Sequence, residues 1–568
     1  MESWQVARLL TEIADLMEIA GEDSGKAMAY RRAARSISSS LIPVEVLAQN
    51  GELRSLPGVG PALEKKIREI LDTGTCAQLE RLTSAVPLTL LDMLAIPELG
   101  AKTVRNIYHH TGIDDIAGLE EAARKGILRK VPGIGVKREQ KILAGIRRLD
   151  LASEGVPLAI ARPLALGLLE DLRFLPYVEK AALGGALRRF VETVDQVDIL
   201  ATSSEPERLM DFLTHHKLVR EVESRGSRAC SVVTTLSVRV RLEVVAREQF
   251  GVALLYSTGS RGHLAALEER ARSRGLVLGP HGLEGDGASL GAREEDIYEA
   301  LGLPLIPPEM REGRGEVAAA ADGSLPTVLR LGHLKGDLHV HSDWSDGIAG
   351  LEELARAAMD RGYEYLGICD HSRSLAIAGG LSVERLRRRN AAIDELNASY
   401  GSFRLLKGIE VDILKDGSLD YPDEVLRELD VVIASIHSGF RQSKEEITSR
   451  LVAAARNPHV DIIGHPTGRL IGRRGGYEAD IDELVAVAAD TGTALEINAS
   501  PDRLDLGPEY VRKAREAGVM LSINTDAHSA EGLADAVYGI SVARRAWLSP
   551  EGVVNTRPLD ELPLRRLR

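Results

Sequence analysis

Residues 336–346 read GDLHVHSDWSD, in which His339 and His341 stand two apart at the end of a short apolar run. On a strand, residues two apart project to the same face, so this pair can hold one ion together. Six further runs follow the same plan: YLGICDH (365–371), RLLKGIEVDI (404–413), VVIASIHS (431–438), VDIIGH (460–465), ALEINAS (494–500) and MLSINTDAH (520–528). Helical patterns separate them, which is how parallel βα units look in sequence. Six of the seven runs carry His, Asp or Glu at their end or within three residues of it. In a parallel barrel the carboxyl ends of the strands converge on one face, and these side chains are expected to meet there. A solitary histidine such as His281 or His333 reads as an ordinary core or surface residue; a set that recurs at strand ends reads as a site.

The candidate ligands are His339, His341, Asp346, His371, Glu410, His437, His465, Asp526 and His528, more than one ion needs. Mixed imidazole and carboxylate donors suit Mn, Zn or Fe(II) and do not suit Ca or Mg alone. A cluster of divalent ions there would make a water acidic near neutral pH and neutralise phosphodiester oxygens, so the expected catalyst is a metal-activated water and the expected reaction phosphoester hydrolysis. Arg469, Arg473 and Arg474, on the loop after Gly464-His465-Pro466, could clamp a phosphate.

At 568 residues the chain needs several cores. Apolar content of 44% and charged content of 27% are those of folded globular protein. Cys76, Cys230 and Cys369 are far apart, which argues against a disulfide framework and a thiolate zinc site and makes a reducing cytoplasm the expected setting. The opening MESWQVARLLTEIADLMEIAGE reads as an acidic amphipathic helix and not a signal peptide, and no apolar stretch is long enough to span a membrane. A net charge of −13 is unlike that of a dedicated nucleic-acid binder, yet residues 121–150 hold nine Lys or Arg against three Asp or Glu. Charge is divided between the two ends.

Residues 1–150 read as helices broken by three similar turns: Leu56-Pro-Gly-Val-Gly60, Ile96-Pro-Glu-Leu-Gly100 and Val131-Pro-Gly-Ile-Gly135. In the outer two, Gly58, Gly60, Gly133 and Gly135 let backbone N–H groups approach phosphate closely, and basic helices follow. The middle copy has Glu98 where glycine is expected and is discounted. Strand-like and helical runs alternate from about 160 to 310, an α+β region, and 311–335 looks like a linker.

Three resemblances follow from these motifs. HxH, DH, GxE, SxH, GHP and DAH, present as His339-Val-His341, Asp370-His371, Gly408-Ile-Glu410, Ser435-Ile-His437, Gly464-His-Pro466 and Asp526-Ala-His528, resemble the polymerase and histidinol phosphatase (PHP) family. That resemblance implies a distorted seven-stranded (β/α) barrel with up to three ions, Mn2+ or Zn2+. His339, His341, Glu410 and Asp526 would hold the first, Glu410, His437 and His465 the second, and Asp346, His371 and His528 the third. The front turns resemble helix-hairpin-helix motifs, which bind DNA without reading sequence. With GKAMAYRRAA (25–34), GGALRRFVETVDQVDILATS (184–203), YSTGSRGH (256–263) and IPPEMREGRGE (306–316), the whole chain resembles the bacterial PolX family, family X DNA polymerases fused to a PHP nuclease. The resemblance implies an N-terminal helical DNA-binding domain (1–85), a helix-hairpin-helix fingers-like domain (86–155), palm and thumb (156–315), a linker (316–334) and the PHP domain (335–568). It implies base-excision-type DNA repair on gapped or 3′-ended DNA, dNTP as a further ligand, and a monomer. Lys66 matches a lysine that performs lyase chemistry in some members, and Arg188 and Arg189 match phosphate contacts.

The polymerase aspartates are where the sequence departs from that family. Alignment leaves Asp198 but puts Gln196 and Arg241 at the other two positions, so Mg2+ is not expected to be held there. Asp195 is three residues from Asp198 and faces the other side of a strand. Glu243 shares a face with Arg241 but lies ~6.6 Å farther along. Ala186 replaces a phosphate-contacting serine, and Leu264 an asparagine. The expectation is a metal-dependent 3′–5′ exonuclease or 3′-end-trimming phosphoesterase on a polymerase-shaped frame with little or no synthesis. The alternatives are a working gap-filling polymerase with exonuclease, a non-catalytic DNA-end binder, and a small-molecule phosphatase.

Overall fold

The structure is a computed structural model that describes residues 3–22, 24–38, 44–73, 75–87, 89–96, 99–143, 155–285 and 288–565. The chain divides into two compact units, Met1–Glu154 and Gly155–Arg568.

The first unit is all-helical around one core that runs from Val6 to Ile142, so both expected N-terminal domains share it. α1 (Ser3–Ala20) packs on α2 (Ser24–Ser38) through a face of Leu, Ile and Val, while Arg31 on α2 reaches back to Asp15 and Glu18. The three sequence turns adopt one hydrogen-bonded form, in which the Val59, Leu99 and Ile134 N–H groups donate to the Leu56, Ile96 and Val131 carbonyls. α3 (Pro61–Thr73), α4 (Ala101–Thr111) and a helix over 136–143 follow them. Gly58 and Gly133 sit at φ of +88° and +86°, the left-handed region that glycine enters without steric cost. Glu98 lies outside the described residues.

In the second unit, α5 (Leu158–Arg173) packs on a five-stranded sheet with spatial order β1 (Val178–Leu183), β2 (Val197–Ser203), β5 (Arg239–Val244), β4 (Ala229–Thr234), β3 (Val219–Arg225). α6 (Phe250–Thr258), α7 (Arg261–Ser273) and α8 (Glu294–Ala300) follow as a small separate core. The stretch expected as a linker is built into that core: Glu316–Asp322 is a helix, with Val317 and Ala320 buried against it. Its alanine run favours helix, and buried Glu316 bonds His263 at 2.7 Å.

The C-terminal part is a seven-stranded parallel sheet in sequential order: β6 (Gly336–Val340), β7 (Tyr365–Ile368), β8 (Arg404–Asp412), β9 (Val431–Ser435), β10 (Ile462–Ile463), β11 (Ala494–Asn498) and β12 (Leu521–Asn524). Its ends meet: Asp526 N–H donates to His339 O at 3.0 Å and His341 N–H to Ala527 O at 2.8 Å. Strands covered on both faces are expected to be nearly all apolar, and every residue of β7, β9, β11 and β12 is buried.

The barrel is bolted to the part of the chain that carries the five-stranded sheet. Arg469 pairs with Glu192 at 2.8 Å, Arg545 donates to Phe190 O at 3.1 Å, and Arg162 stacks over both Phe190 and Tyr538.

Candidate metal centre and polymerase-like cleft

All nine candidate ligands gather at the carboxyl end of the barrel. His339 is the last residue but one of β6, with His341 just beyond the strand, and the bend that follows brings Asp346 back over the opening. Glu410 comes from β8 and is central. Its Oε2 lies 3.5 Å from His339 Nε2 and 3.6 Å from His341 Nε2, while Asp526 Oδ1 lies 3.7 and 3.1 Å from the same two nitrogens. Donors about 2.0–2.2 Å from one ion in a tetrahedral arrangement stand about 3.4 Å from each other. On the other oxygen, Glu410 Oε1 meets His437 Nε2 at 3.3 Å and His465 Nε2 at 2.8 Å. Asp346 Oδ2 is 3.4 Å from both His371 Nε2 and His528 Nε2.

The test of fit for cations is what these atoms do otherwise. His339 Nε2, both ring nitrogens of His341 and Glu410 Oε2 are buried without a hydrogen-bond partner. Leaving so many polar atoms unmatched in one place costs about 1–3 kcal/mol each, and divalent ions would satisfy them together. The closest groupings differ in part from the expected sets. His341 also joins Asp346, His371 and His528, and His371 also joins Glu410 and His437.

Electrostatics keep the carboxylates charged. Burial pushes Glu410 and Asp526 up, but the surrounding histidines outweigh it and hold both well below the carboxylate range. Burial, then neighbouring His371, lowers His341 to about 4, whereas the neighbouring carboxylates outweigh burial and raise His371 to about 10 and His437 to about 9, so that a proton and a metal cation compete for those rings. The backbone is strained at the same place: His465 has φ of +27° and Asp526 of +56°. Such conformations cost of order 1–3 kcal/mol each and cluster at functional sites.

Several supporting residues carry no ligand-like pattern in the sequence. Glu496, on the one strand with no expected ligand, accepts from His339 Nδ1 at 2.7 Å and from the His465 N–H at 2.7 Å. Asp412 bonds His437 Nδ1 at 2.7 Å. Asp370, beside ligand His371, is buried against Arg389 at 2.9 Å and orders Ser342 and Ser345. Lone carboxylates inside apolar strands were the available signal. Of the expected phosphate clamps, Arg469 is committed to Glu192, Arg473 to Asp502 at 3.3 Å, and Arg474 stacks on Phe440. The arginine nearest the ligands is Arg503, 3.4 Å from Asp526 Oδ2.

In the central sheet, Asp198 on β2 stands in register with Arg241 on β5. They line a cleft of about 390 Å³ with Glu243, Tyr256 and Ser257. Gln196 donates to Asp198 Oδ1 at 2.7 Å and Arg241 to Glu243 at 3.0 Å. Burial raises Asp198, with Gln196 and Arg241 pulling it back. Among the described residues, every group of three or more His, Cys, Asp or Glu close enough to share an ion lies in the barrel. Arg188 and Arg189, expected on phosphate, are engaged within the protein: Arg188 with Glu294 at 2.6 Å and Thr258 at 2.9 Å, Arg189 with Glu312 at 3.0 Å and the Thr258 carbonyl at 2.7 Å. In the first unit, Lys66 Nζ donates to the Tyr30 hydroxyl at 2.5 Å and lies over its ring.

Known families match along the chain: a helix-hairpin-helix domain over residues 1–76, a SAM-like helix-hairpin-helix tandem over 90–148, a DNA polymerase beta thumb over 253–312 and a PHP domain over 337–500. The chain is 40% identical over 568 residues to the DNA polymerase/3′-5′ exonuclease PolX of Bacillus subtilis, covering 99% of each. It is 26% identical to rat DNA polymerase lambda over 325 residues, 51% of this chain and 53% of that one. Over 231 residues it is 29% identical to a probable phosphatase of Thermoanaerobacter sp., 39% of this chain and 89% of that one.

Proposed function

The chain belongs to the PolX family of DNA polymerase/3′-5′ exonucleases, and from that premise we propose that it acts chiefly as a divalent-metal-dependent 3′–5′ exonuclease or 3′-end-processing phosphoesterase in DNA repair, with weak or no synthesis. The observation that carries this reading is the contrast between its two candidate centres. In the barrel, four ligand atoms of His339, His341, Glu410 and Asp526 lie 3.1–3.7 Å apart across the pairs named above. In the palm, a guanidinium occupies the strand position beside Asp198. A guanidinium there repels Mg2+ instead of ligating it.

When bound, Mn2+ or Zn2+ would supply Lewis acidity, lowering the pKa of water and neutralising charge on the phosphodiester. The protein's own contribution is to hold the donors. Glu496 and Asp412 fix the rings of His339 and His437 through Nδ1, so that Nε2 of each faces the centre. Arg503 is available to neutralise a phosphate oxygen arriving beside Asp526. The N-terminal hairpins would supply sequence-independent DNA affinity, and Lys66 with Tyr30 a seat for a 5′-phosphate.

The test is to incubate the wild type and a His339→Ala/His341→Ala variant with Mn2+ on gapped and primer-template DNA, with and without dNTPs. Shortening without extension, lost in the variant, is expected. Template-directed extension that persists in the variant and disappears in Asp198→Ala would overturn the reading and make the chain a gap-filling polymerase.

A further inference from the structure

α9 (Lys444–Arg456) buries a stripe at helical spacing, Ile447, Arg450, Leu451 and Ala454, and the second member of that stripe is an arginine. Among the described residues three arginines are buried, and two of them have a carboxylate: Arg311 pairs with Glu294 at 2.5 Å and Arg389 with Asp370 at 2.9 Å. The third, Arg450, is 2% exposed and has no ion pair among those residues, while Asp412 and Asp416 attract it from farther off. Taking a guanidinium out of water is costly unless its donors find acceptors. Here they find the oxygens of two loops. One terminal nitrogen, Nη2, donates to Ile413 O at 2.5 Å, and the other, Nη1, to Ser438 O at 3.0 Å and to Gln442 Oε1 at 2.7 Å. Gly439 makes room for this contact: it sits at φ of +74°, and a Cβ there would lie 2.9 Å from Nη1.

The two loops are those that leave β8 and β9, and a linked pair of side chains stands at their roots. Asp412, just before Ile413, bonds Nδ1 of His437 at 2.7 Å, and His437 just precedes Ser438. Arg450 therefore grips the main chain on both flanks of that hydrogen bond. His437 in turn presents Nε2 at 3.3 Å from Glu410 Oε1, where the second ion is expected. A planar guanidinium fork can hold both loops at once, whereas the ammonium of a lysine is a compact point charge. We propose that Arg450 is a positioning residue for the metal set of Glu410, His437 and His465. By holding the Ile413 and Ser438 carbonyls it keeps Asp412 against His437 and the ring aimed at Glu410. The inference rests on the metal-dependent reading above and deepens it.

The experiment titrates Mn2+ into the metal-free protein by calorimetry, for the wild type, Arg450→Lys, His437→Ala and the double variant. A group that holds the other ring nitrogen of a ligating histidine typically sets metal affinity by about 10–100-fold. Arg450 stands one step behind such a group, so Arg450→Lys should weaken one class of site by about tenfold and leave the others at wild-type affinity. In the His437→Ala background the same substitution should change nothing more, because the ring it acts through is gone. If Arg450→Lys does not fold, Gln442→Met removes one of the three holds without touching the buried charge, and should weaken the same class by a smaller factor. A wild-type isotherm in the variant measured overturns the assignment. So does a loss of equal size that persists without His437, which would make Arg450 an ordinary part of the core. A wild type that binds Mn2+ but leaves the 3′ ends of DNA intact overturns the nuclease reading, and the titrations still decide the role of Arg450.

Discussion

Glu496 ends up with both carboxylate oxygens committed at the metal centre although nothing in ALEINAS marks it as a ligand. Oε1 accepts from His339 Nδ1 and from Asn524 Nδ2, and Oε2 accepts from the His465 N–H and from Asn498 Nδ2, at 2.7–3.2 Å. It thereby sets the ring of one expected ligand and the strained backbone of another. A carboxylate of this kind raises the basicity of its histidine, and losing it typically costs 10–100-fold in metal affinity. Glu496→Gln preserves the size and some of the hydrogen bonds but removes the charge. Mn2+ affinity by calorimetric titration, at a temperature where the variant is folded, should fall by about that factor, and the apoprotein should melt lower because the new amide NH2 faces N–H donors. Unchanged affinity would mean that the ring of His339 is held by packing alone.

At the scale of elements, strands were legible and their cross-links were not. The apolar runs of the barrel show through because strands buried on both faces leave room for little else, and a ligand near six of the seven carboxyl ends breaks the run. Gln196 and Arg241 were legible as departures because they fall at fixed strand positions. The partners of Arg188 were not. Glu294 lies 106 residues away, and no local pattern links the two. A partner only 17 residues away hid the role of 311–322, whose Gly, Arg and Ala composition looks like a linker until Arg311, fully buried, is seen paired with Glu294. Burial pushes the Glu294 carboxyl up, but Arg311 and Arg188 outweigh it and hold it below its ordinary value. Its contribution to stability is therefore present above the unfolded pKa and is lost as pH falls through the folded one. His263 works in the same direction: burial lowers it, Glu316 only partly restores it, and the neutral ring must charge on unfolding below about pH 6.5. Calorimetry should show the melting of the wild type fall below about pH 6.5, where His263 charges on unfolding, and fall further below about pH 4.3, where Glu294 contributes. Glu294→Gln strands a buried guanidinium, and should cost about 3–5 kcal/mol at pH 7. It should also flatten the fall below about pH 4.3. A variant as acid-sensitive as the wild type would show that the lost stability has another source.

For the whole molecule, a net charge of −13 has to be reconciled with a family that works on DNA. Acidic residues concentrate where cations would be held, and the repeated hairpins of the first unit offer backbone N–H groups and basic helices to a phosphate chain. Two glycines in each outer hairpin do different work, which makes the proposal separable from stability. Gly58 and Gly133 occupy the left-handed region, so valine there strains the fold, and at Gly58 its Cβ would also come within 2.9 Å of Arg32. Gly60 and Gly135 have ordinary φ and nothing within 4 Å of where a Cβ would stand. Gly60→Val/Gly135→Val should therefore fold normally yet place branched side chains where phosphate is expected to approach. Anisotropy titrations should show affinity for DNA reduced on the order of tenfold on every sequence tried, with the dependence on salt shallower by roughly one unit of slope for each phosphate that the protein no longer neutralises. Gly58→Val/Gly133→Val should lose melting temperature as well. If the first pair binds DNA with wild-type affinity and salt slope, the hairpins are only helix joints, and DNA must be held elsewhere.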